Sequence, residues 1–453
     1  MRTALWLLTT MLMCGGAAGA DWPRFGGPTA DFKSPEKGIV TTWAPTGPKL
    51  VWAIDTGEGY CAPAIADGRL FLFERIGDQQ VLRCLDPRTA QKKWAFSYPT
   101  DYVDMYKYDG GPRAMPVVDG DRVYILGPEG MLHCLSVADG SIKWKLDTIK
   151  EFNVVPNFFG VGAAPVVEGD LLIVQVGGSP LGSPPKIAPD LRGNGSGIVA
   201  FNKLTGKVVY SITDELASFS VPVMADIDGR RWGIVFARGG LVGFDPRNGK
   251  VDFHYPWRAR IFESAIASNP VVVGDKVFIS ECYEVGGSLL SVRPGGYEVV
   301  WKDPGTTRGN TLACHWMTPI YHKGFLYGCS GRHDQSAELR CVGLETRRIM
   351  WAAKSMSVPL MPDGKGPSEV RLTRCSLTMA DGLLILLGEY GQLALVRPTP
   401  EKFDLVASCL LSDGKGEPLF EEHAWSAPVL SNGLLYLRGK GRLACLELIP
   451  RAN

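Results

Sequence analysis

A strand pattern recurs eight times along this chain of 453 residues, and a repeat of that length restricts the fold to a stack or a closed ring. Its first marker is a Pro, a short apolar stretch, a Gly/Asp turn and a second apolar strand. Copies open at Pro63 (PAIADGRLFLF), Pro116 (PVVDGDRVYIL), Pro165 (PVVEGDLLIVQ) and Pro222 (PVMADIDGRRWGIVF). They continue at Pro270 (PVVVGDKVFIS), Pro319 (PIYHKGFLYG) and Pro428 (PVLSNGLLYLR). LTMADGLLILL, with Leu377 in place of Pro, completes the set at roughly 48–58 residue spacing. The alternation in each copy is that of a half-buried hairpin.

A second marker follows about 25 residues after the first: a strand, a Thr-Gly-like turn and a further strand ending on an aromatic. It reads CLDPRTAQKKW to Trp94, CLSVADGSIKW to Trp144, AFNKLTGKVVY to Tyr210 and GFDPRNGKVDF to Phe253. SVRPGGYEVVW to Trp301 and CVGLETRRIMW to Trp351 complete the series. Glycine in the turn supplies a positive φ, and the aromatic supplies a flat group to pack between sheets. Four strands per copy make a propeller blade, because a lone four-stranded sheet could not bury both faces. The last copy ends at CLELIP without its fourth strand, while Lys49–Ile54 carries an aromatic strand, with Trp52, before the first blade.

The expected fold is therefore all-β, an eight-bladed β-propeller of four-stranded antiparallel blades closed by an N-terminal strand in the last blade. Blades are placed at about 60–98, 113–147, 160–212, 217–259, 263–303, 315–354, 371–412 and 424–450 plus 49–54. The propeller occupies 49–453 behind an extension at 21–48, leaving no second domain. Blade seven lacks the turn and the aromatic (RPTPEKFDLVASCLL), so its outer strands are the weakest part of the pattern. The 54 Gly and 32 Pro are what a turn-rich all-β chain requires.

Residues 1–20 read as a signal peptide. Arg2 is the positive end, Ala4 to Met13 is too short to span a bilayer, and Ala18-Gly19-Ala20 has the form of a cleavage site. Cys14 lacks the small residue expected just ahead of a lipidated cysteine. The expected protein is periplasmic or secreted, monomeric, and without a transmembrane segment. Lys plus Arg (48) against Asp plus Glu (47) leaves no basic footprint for nucleic acid or anionic membrane.

The two markers resemble the Ala-x-Asp-x-x-Thr-Gly-x-x-x-Trp docking repeat of the quinoprotein alcohol dehydrogenase superfamily. The opening Asp21-Trp22-Pro23-Arg24-Phe25-Gly26-Gly27-Pro28 and the run Ser220 to Trp257 are similar to exported pyrroloquinoline-quinone-like propeller proteins. The resemblance implies one of two branches. One oxidises alcohols or sugars with bound pyrroloquinoline quinone (PQQ) and calcium; the other is the scaffold lipoprotein of outer-membrane barrel assembly, which binds no quinone. This sequence has neither the adjacent cysteines of the enzymes nor a Cys-x-x-Cys-His haem motif. Asp101-Tyr102 and Asp190 lie in loops and form no recognisable oxygen-ligand set for calcium. No cofactor is assigned, with PQQ and calcium as the alternative.

Ten cysteines follow the leader. Cys84, Cys134, Cys341 and Cys445 share one third-strand position and read as small buried hydrophobes, and Cys61 and Cys375 are likewise equivalent. Cys282, Cys314, Cys329 and Cys409 leave room for one bridge of unspecified pairing. Gly193-x-Gly195-x-Gly197 is followed by the strand Ile198–Phe201 and not by a helix, so it fails as a nucleotide loop. It closes the long insertion 177–196 in blade three.

In a propeller, functional residues belong to loops around one mouth of the central channel. The position three before each marker opens an inner strand near that mouth: Tyr60, Arg113, Gly162, Phe219, Ala267, Trp316, Arg374 and Trp425. Adjoining loops add His315, His333-Asp334 and Glu421-Glu422-His423. The candidate ligand-binding residues are Tyr60, Arg113, Phe219, His315, Trp316, His333, Arg374, His423 and Trp425, because arginine forks and aromatic walls suit an anionic or planar ligand. The plainer alternative has the aromatics plugging the channel and the histidines serving as ordinary polar loop residues. The expected function is a non-catalytic binding or scaffold module for an exported protein or extracellular polymer. Alternatives are a PQQ- and calcium-dependent dehydrogenase with a diverged site, or a polysaccharide-active hydrolase or lyase using Glu421, Glu422 or Asp334.

Overall fold

The computed structural model describes residues 20–306, 309–360, 368–413, 417–420 and 423–451. Residues 1–19, with Cys14 and most of the expected cleavage motif, and the pair Glu421-Glu422 lie outside the described residues. Eight antiparallel sheets form an eight-bladed propeller, and Lys49–Asp55 completes the last blade as the neighbour of Arg442–Glu447. Second and third strands are mostly buried, as in Leu383–Gly388 and Gln392–Arg397, while fourth strands such as Lys92–Pro99 alternate toward solvent. That gradient is why the sequence alternates weakly near the axis and strongly at the rim.

One device recurs in every blade. A β-bulge shifts the register between the third and fourth strands of all eight. Beside it, Cys84, Cys134, Cys341 and Cys445 face Trp94, Trp144, Trp351 and Trp52 across the ladder. The bulge turns each aromatic toward the next blade, where its polar tip finds a turn carbonyl. Trp94 Nε1 donates to Val137 O (3.1 Å), Trp144 Nε1 to Lys203 O (3.0 Å) and Tyr210 Oη to Pro246 O (2.7 Å). Trp301, Trp351 and Trp52 do the same to Leu344, Thr399 and Pro87. Gly140 is required twice over: its φ is +74°, and a Cβ there would stand 2.7 Å from the Trp94 ring.

Blade seven keeps its fourth strand, Asp404–Leu410, despite the missing turn motif. It departs from the four-strand expectation at its inner edge. Lys33–Ser34 pairs in parallel with Met379 and Ala380, making that sheet five-stranded.

The same N-terminal segment runs around one end of the channel. Trp22 exchanges backbone hydrogen bonds with Ile65 of blade one, Pro23 accepts from Val118 of blade two, and Phe32 accepts from Met379 of blade seven. The Glu36 carboxylate takes the N–H groups of Asn432 (2.8 Å) and Gly433 (2.6 Å) in blade eight. Trp22 is 1% exposed and Phe32 4%, so the channel is floored by protein. No helix among the described residues is long and apolar enough to cross a membrane. The ten described cysteines are all free and buried.

Candidate functional site

Above that floor lies a cup of about 530 Å³, within the range of small-molecule sites. Trp22, Phe25 and Phe32 form its base, with Met115, Val221, Leu377 and Val429 from the inner strands. Of the sequence candidates, Tyr60, Arg113, Phe219, His315, Trp316, His333, Arg374 and Trp425 line the cup. His423 packs on the Trp425 ring at 4.8 Å and meets Tyr390 Oη at 3.5 Å, without lining the cup. Gly162 is small because Phe219 lies over it, 2.6 Å from where a Cβ would be.

The wall is organised around a residue the sequence did not single out. Glu389, fully buried at the end of the second strand of blade seven, forks onto Arg374 through Nε (2.9 Å) and Nη2 (2.5 Å). The same carboxylate accepts Trp425 Nε1 at 2.6 Å. The Arg374 guanidinium then packs on the rings of Trp316 (4.6 Å) and Trp425 (5.5 Å). Its fork is thus occupied by protein, which corrects the expectation of a fork free for ligand. Arg374 offers the cup a stacked cationic face. Arg113 is similarly engaged, with Asp104 at 3.5 Å and the Phe159 ring at 5.3 Å.

The loop over blade one adds Tyr108, stacked on Trp425 at 5.4 Å and 15°. Buried Asp104 fixes that loop by accepting the N–H groups of Tyr106 (2.8 Å) and Asp109 (2.9 Å). Tyr60 meets Trp425 at 4.7 Å, and Trp316 meets it at 5.1 Å, so the rings form a continuous aromatic wall. Arg332 lies over the Tyr283 ring at 4.6 Å and, among the described residues, has no acidic partner. Tyr108, Phe159, Tyr283, Arg332 and Glu389 escaped the sequence reading because they sit outside the one strand position that the repeat marks. The loop lengths at 99–112 and 148–161 were the available signal for Tyr108 and Phe159.

His315 donates or accepts at Nε2 with Tyr283 Oη (3.1 Å), and burial beside Arg374 and Arg332 pushes its imidazole down to about 3. It is neutral at physiological pH. His315 Nδ1 and Trp316 Nε1 are buried without hydrogen-bond partners. Both residues line the cup, where a buried polar atom without a partner is a place for a ligand's polar group. No carboxylate lines the cup among the described residues. No group of three or more His, Cys, Asp or Glu there could hold a metal. Asp334 faces a separate groove with Glu369 and Arg371.

Behind the wall, Glu281 is 1% exposed, and burial pushes its carboxyl up from 4.5 to about 7 despite nearby Arg258 and Arg238. The unfolded chain releases this proton first, so stability is fully present below about 4.5 and falls as pH rises through about 7. Glu281→Gln should stabilise the protein above neutrality by on the order of 3 kcal/mol and much less below about pH 5. Thermal melts of both proteins across that range will show whether their difference grows with pH; a constant difference would refute the assignment.

No curated protein matches the chain by sequence. BamB from Moraxella catarrhalis shares the fold with a TM-score of 0.54 at 11% identity, over 89% of this chain and 99% of that one. The quinohemoprotein alcohol dehydrogenase from Comamonas testosteroni does so with a TM-score of 0.59 at 11% identity, over 96% and 81%. The computationally designed Ika8 protein gives 0.53 at 10% identity, over 88% and 100%. Identities this low carry architecture and no chemistry. The family model described as outer membrane protein assembly factor BamB matches residues 77–353, from blade one to blade six. Its match over more than half of the chain, on the repeat and the eight blades already described, places the chain in the family of PQQ-like repeat propellers named for outer membrane protein assembly factor BamB.

Proposed function

We propose that this chain is an exported, non-catalytic binding propeller whose floored cup holds a planar, anionic group presented by an exported protein or an extracellular polymer. The observation that carries this reading is the lining: stacked aromatic rings and three guanidinium groups (Arg113, Arg332, Arg374) with no carboxylate among the described residues. Aromatic faces bind planar groups, and Arg332, which has no acidic partner among the described residues, favours negative charge, while Arg374 and Arg113, already paired with Glu389 and Asp104, add stacked cationic faces. Export rests on the leader at 1–20 and agrees with the family's name.

The dehydrogenase reading requires PQQ and calcium. The walls would suit the planar, anionic quinone. Calcium needs six to eight oxygen ligands, usually including carboxylates, and the described lining offers none. Among the buried acids behind the wall, Glu389 is engaged by Arg374 and Trp425, and Asp104 by Arg113 and its own loop. A hydrolase would need two carboxylates flanking a sugar bond, and the described cup has none to offer.

Tryptophan fluorescence of the purified protein should be quenched saturably by a planar aromatic dicarboxylate, with no dependence on calcium. Trp316→Ala keeps the Glu389–Arg374–Trp425 cluster and should weaken that binding about tenfold, the worth of one stacked ring. Equal binding of an uncharged oligosaccharide would argue against the anionic reading. Calcium-dependent binding of PQQ with reduction of an acceptor dye by an alcohol would overturn the non-catalytic one.

A further inference from the structure

Most of the buried cysteines face aromatic or aliphatic neighbours, but two from adjacent blades face each other. Cys329 lies in Phe325–Ser330, the second strand of blade six, and Cys375 opens Cys375–Ala380, the inner strand of blade seven. The Cys375 N–H donates to Cys329 Sγ at 3.4 Å, and the Cys329 thiol donates to Thr373 O at 3.6 Å. Cys329 Sγ therefore rests on the backbone that carries Cys375. Both residues are buried, at 2% and 0% exposure. Hydrogen bonds from the Cys375 thiol and N–H hold the Cys329 thiol below its ordinary value, while Cys375 is pushed well above its own. Two thiols in contact across the boundary between neighbouring blades are placed to exchange with one disulfide oxidant.

We infer that Cys329 and Cys375 are an oxidation site that closes into a disulfide between blades six and seven. The inference rests on export to an oxidising compartment, as proposed above. Cys329 as thiolate attacks one sulfur of an oxidant disulfide, forming a mixed disulfide and releasing the oxidant's other sulfur as a thiolate. Cys375, after losing its proton, attacks the Cys329 sulfur and releases the oxidant's second thiolate. The two cysteines together lose two electrons and two protons, and the oxidant disulfide is reduced to two thiols. Because both sulfurs are buried, the exchange takes place before blades six and seven close on each other, or during a transient opening. The bond fastens the strand that bears Arg374, and with it the cationic face of the cup. The other eight cysteines, among them the four that face tryptophans, stay reduced.

The test is to refold the protein without its leader in a buffer of oxidised and reduced glutathione, which separates pairing from export. Alkylation in denaturant without reductant, followed by peptide mapping, should leave eight of the ten cysteines labelled and join the peptides of Cys329 and Cys375. Adding reductant should lower the unfolding midpoint of the oxidised protein, and Cys375→Ser and Cys329→Ser should each abolish that dependence. Labelling of all ten, or a bond through Cys314 or Cys282, would overturn the inference. Should the refolded protein carry the bond while protein recovered from its own host carries none, the pairing stands and the exported reading fails.

Discussion

Glu389→Ala is expected to destabilise the propeller by about 3–5 kcal/mol, the penalty for leaving one partner of a buried ion pair alone. Glu389 is fully buried and its carboxylate serves four donors at once: the Arg374 backbone N–H, Arg374 Nε, Arg374 Nη2 and Trp425 Nε1. Removing it strands a guanidinium between two tryptophan rings and orphans an indole N–H. Glu389→Gln keeps the shape and an acceptor but loses the charge, so a smaller loss is expected. Urea unfolding measures both. The fluorescence titration should also show binding falling in Glu389→Ala, because Trp425 and Arg374 would no longer hold their places in the wall. A loss below about 1 kcal/mol would mean that Arg374 is held by stacking alone.

Trp22→Ala is the second large effect, again expected at about 3–5 kcal/mol for a buried tryptophan truncated to alanine. Trp22 is 1% exposed and forms the base of the cup with Phe25 and Phe32. Its backbone is also tied to Ile65 in both directions. Gly27→Ala should fail in the same direction, since a Cβ there would stand 2.9 Å from the Trp22 ring at a φ of +80°. Floor and cup are one construction, so Trp22→Ala should weaken the titration of the planar dicarboxylate as well. Wild-type stability in Trp22→Ala would show that residues 20–38 lie on the channel end without closing it.

The candidate site was legible in the sequence as far as the repeat reached. Tyr60, Arg113, Phe219, Trp316, Arg374 and Trp425 share one position of the repeating unit, and a shared position in a ring means a shared place around the axis. His315 and His333 came from loops beside it. Glu389 was invisible because its counterparts in other blades are unlike one another: Glu74, Gln175, Glu281 and Arg438 lie at or near the ends of second strands too, each with different partners. Arg332 and Tyr283 sit in inter-strand loops whose course no periodicity constrains.

By itself the sequence determined that this chain is a ring of eight blades closed by the segment Lys49–Ile54, because hairpin alternation and a docking aromatic recur in register and no lone blade can bury its faces. Only the tertiary structure decided that residues 22–36 floor the channel, that Arg374 gives its fork to Glu389, and that Cys329 meets Cys375. The floor and the cysteine contact join different blades, and the Arg374–Glu389 pair closes one hairpin of blade seven through residues that the repeat does not mark. Local pattern carries periodic burial, whereas contacts that break the symmetry depend on which side chains the closed ring happens to bring together.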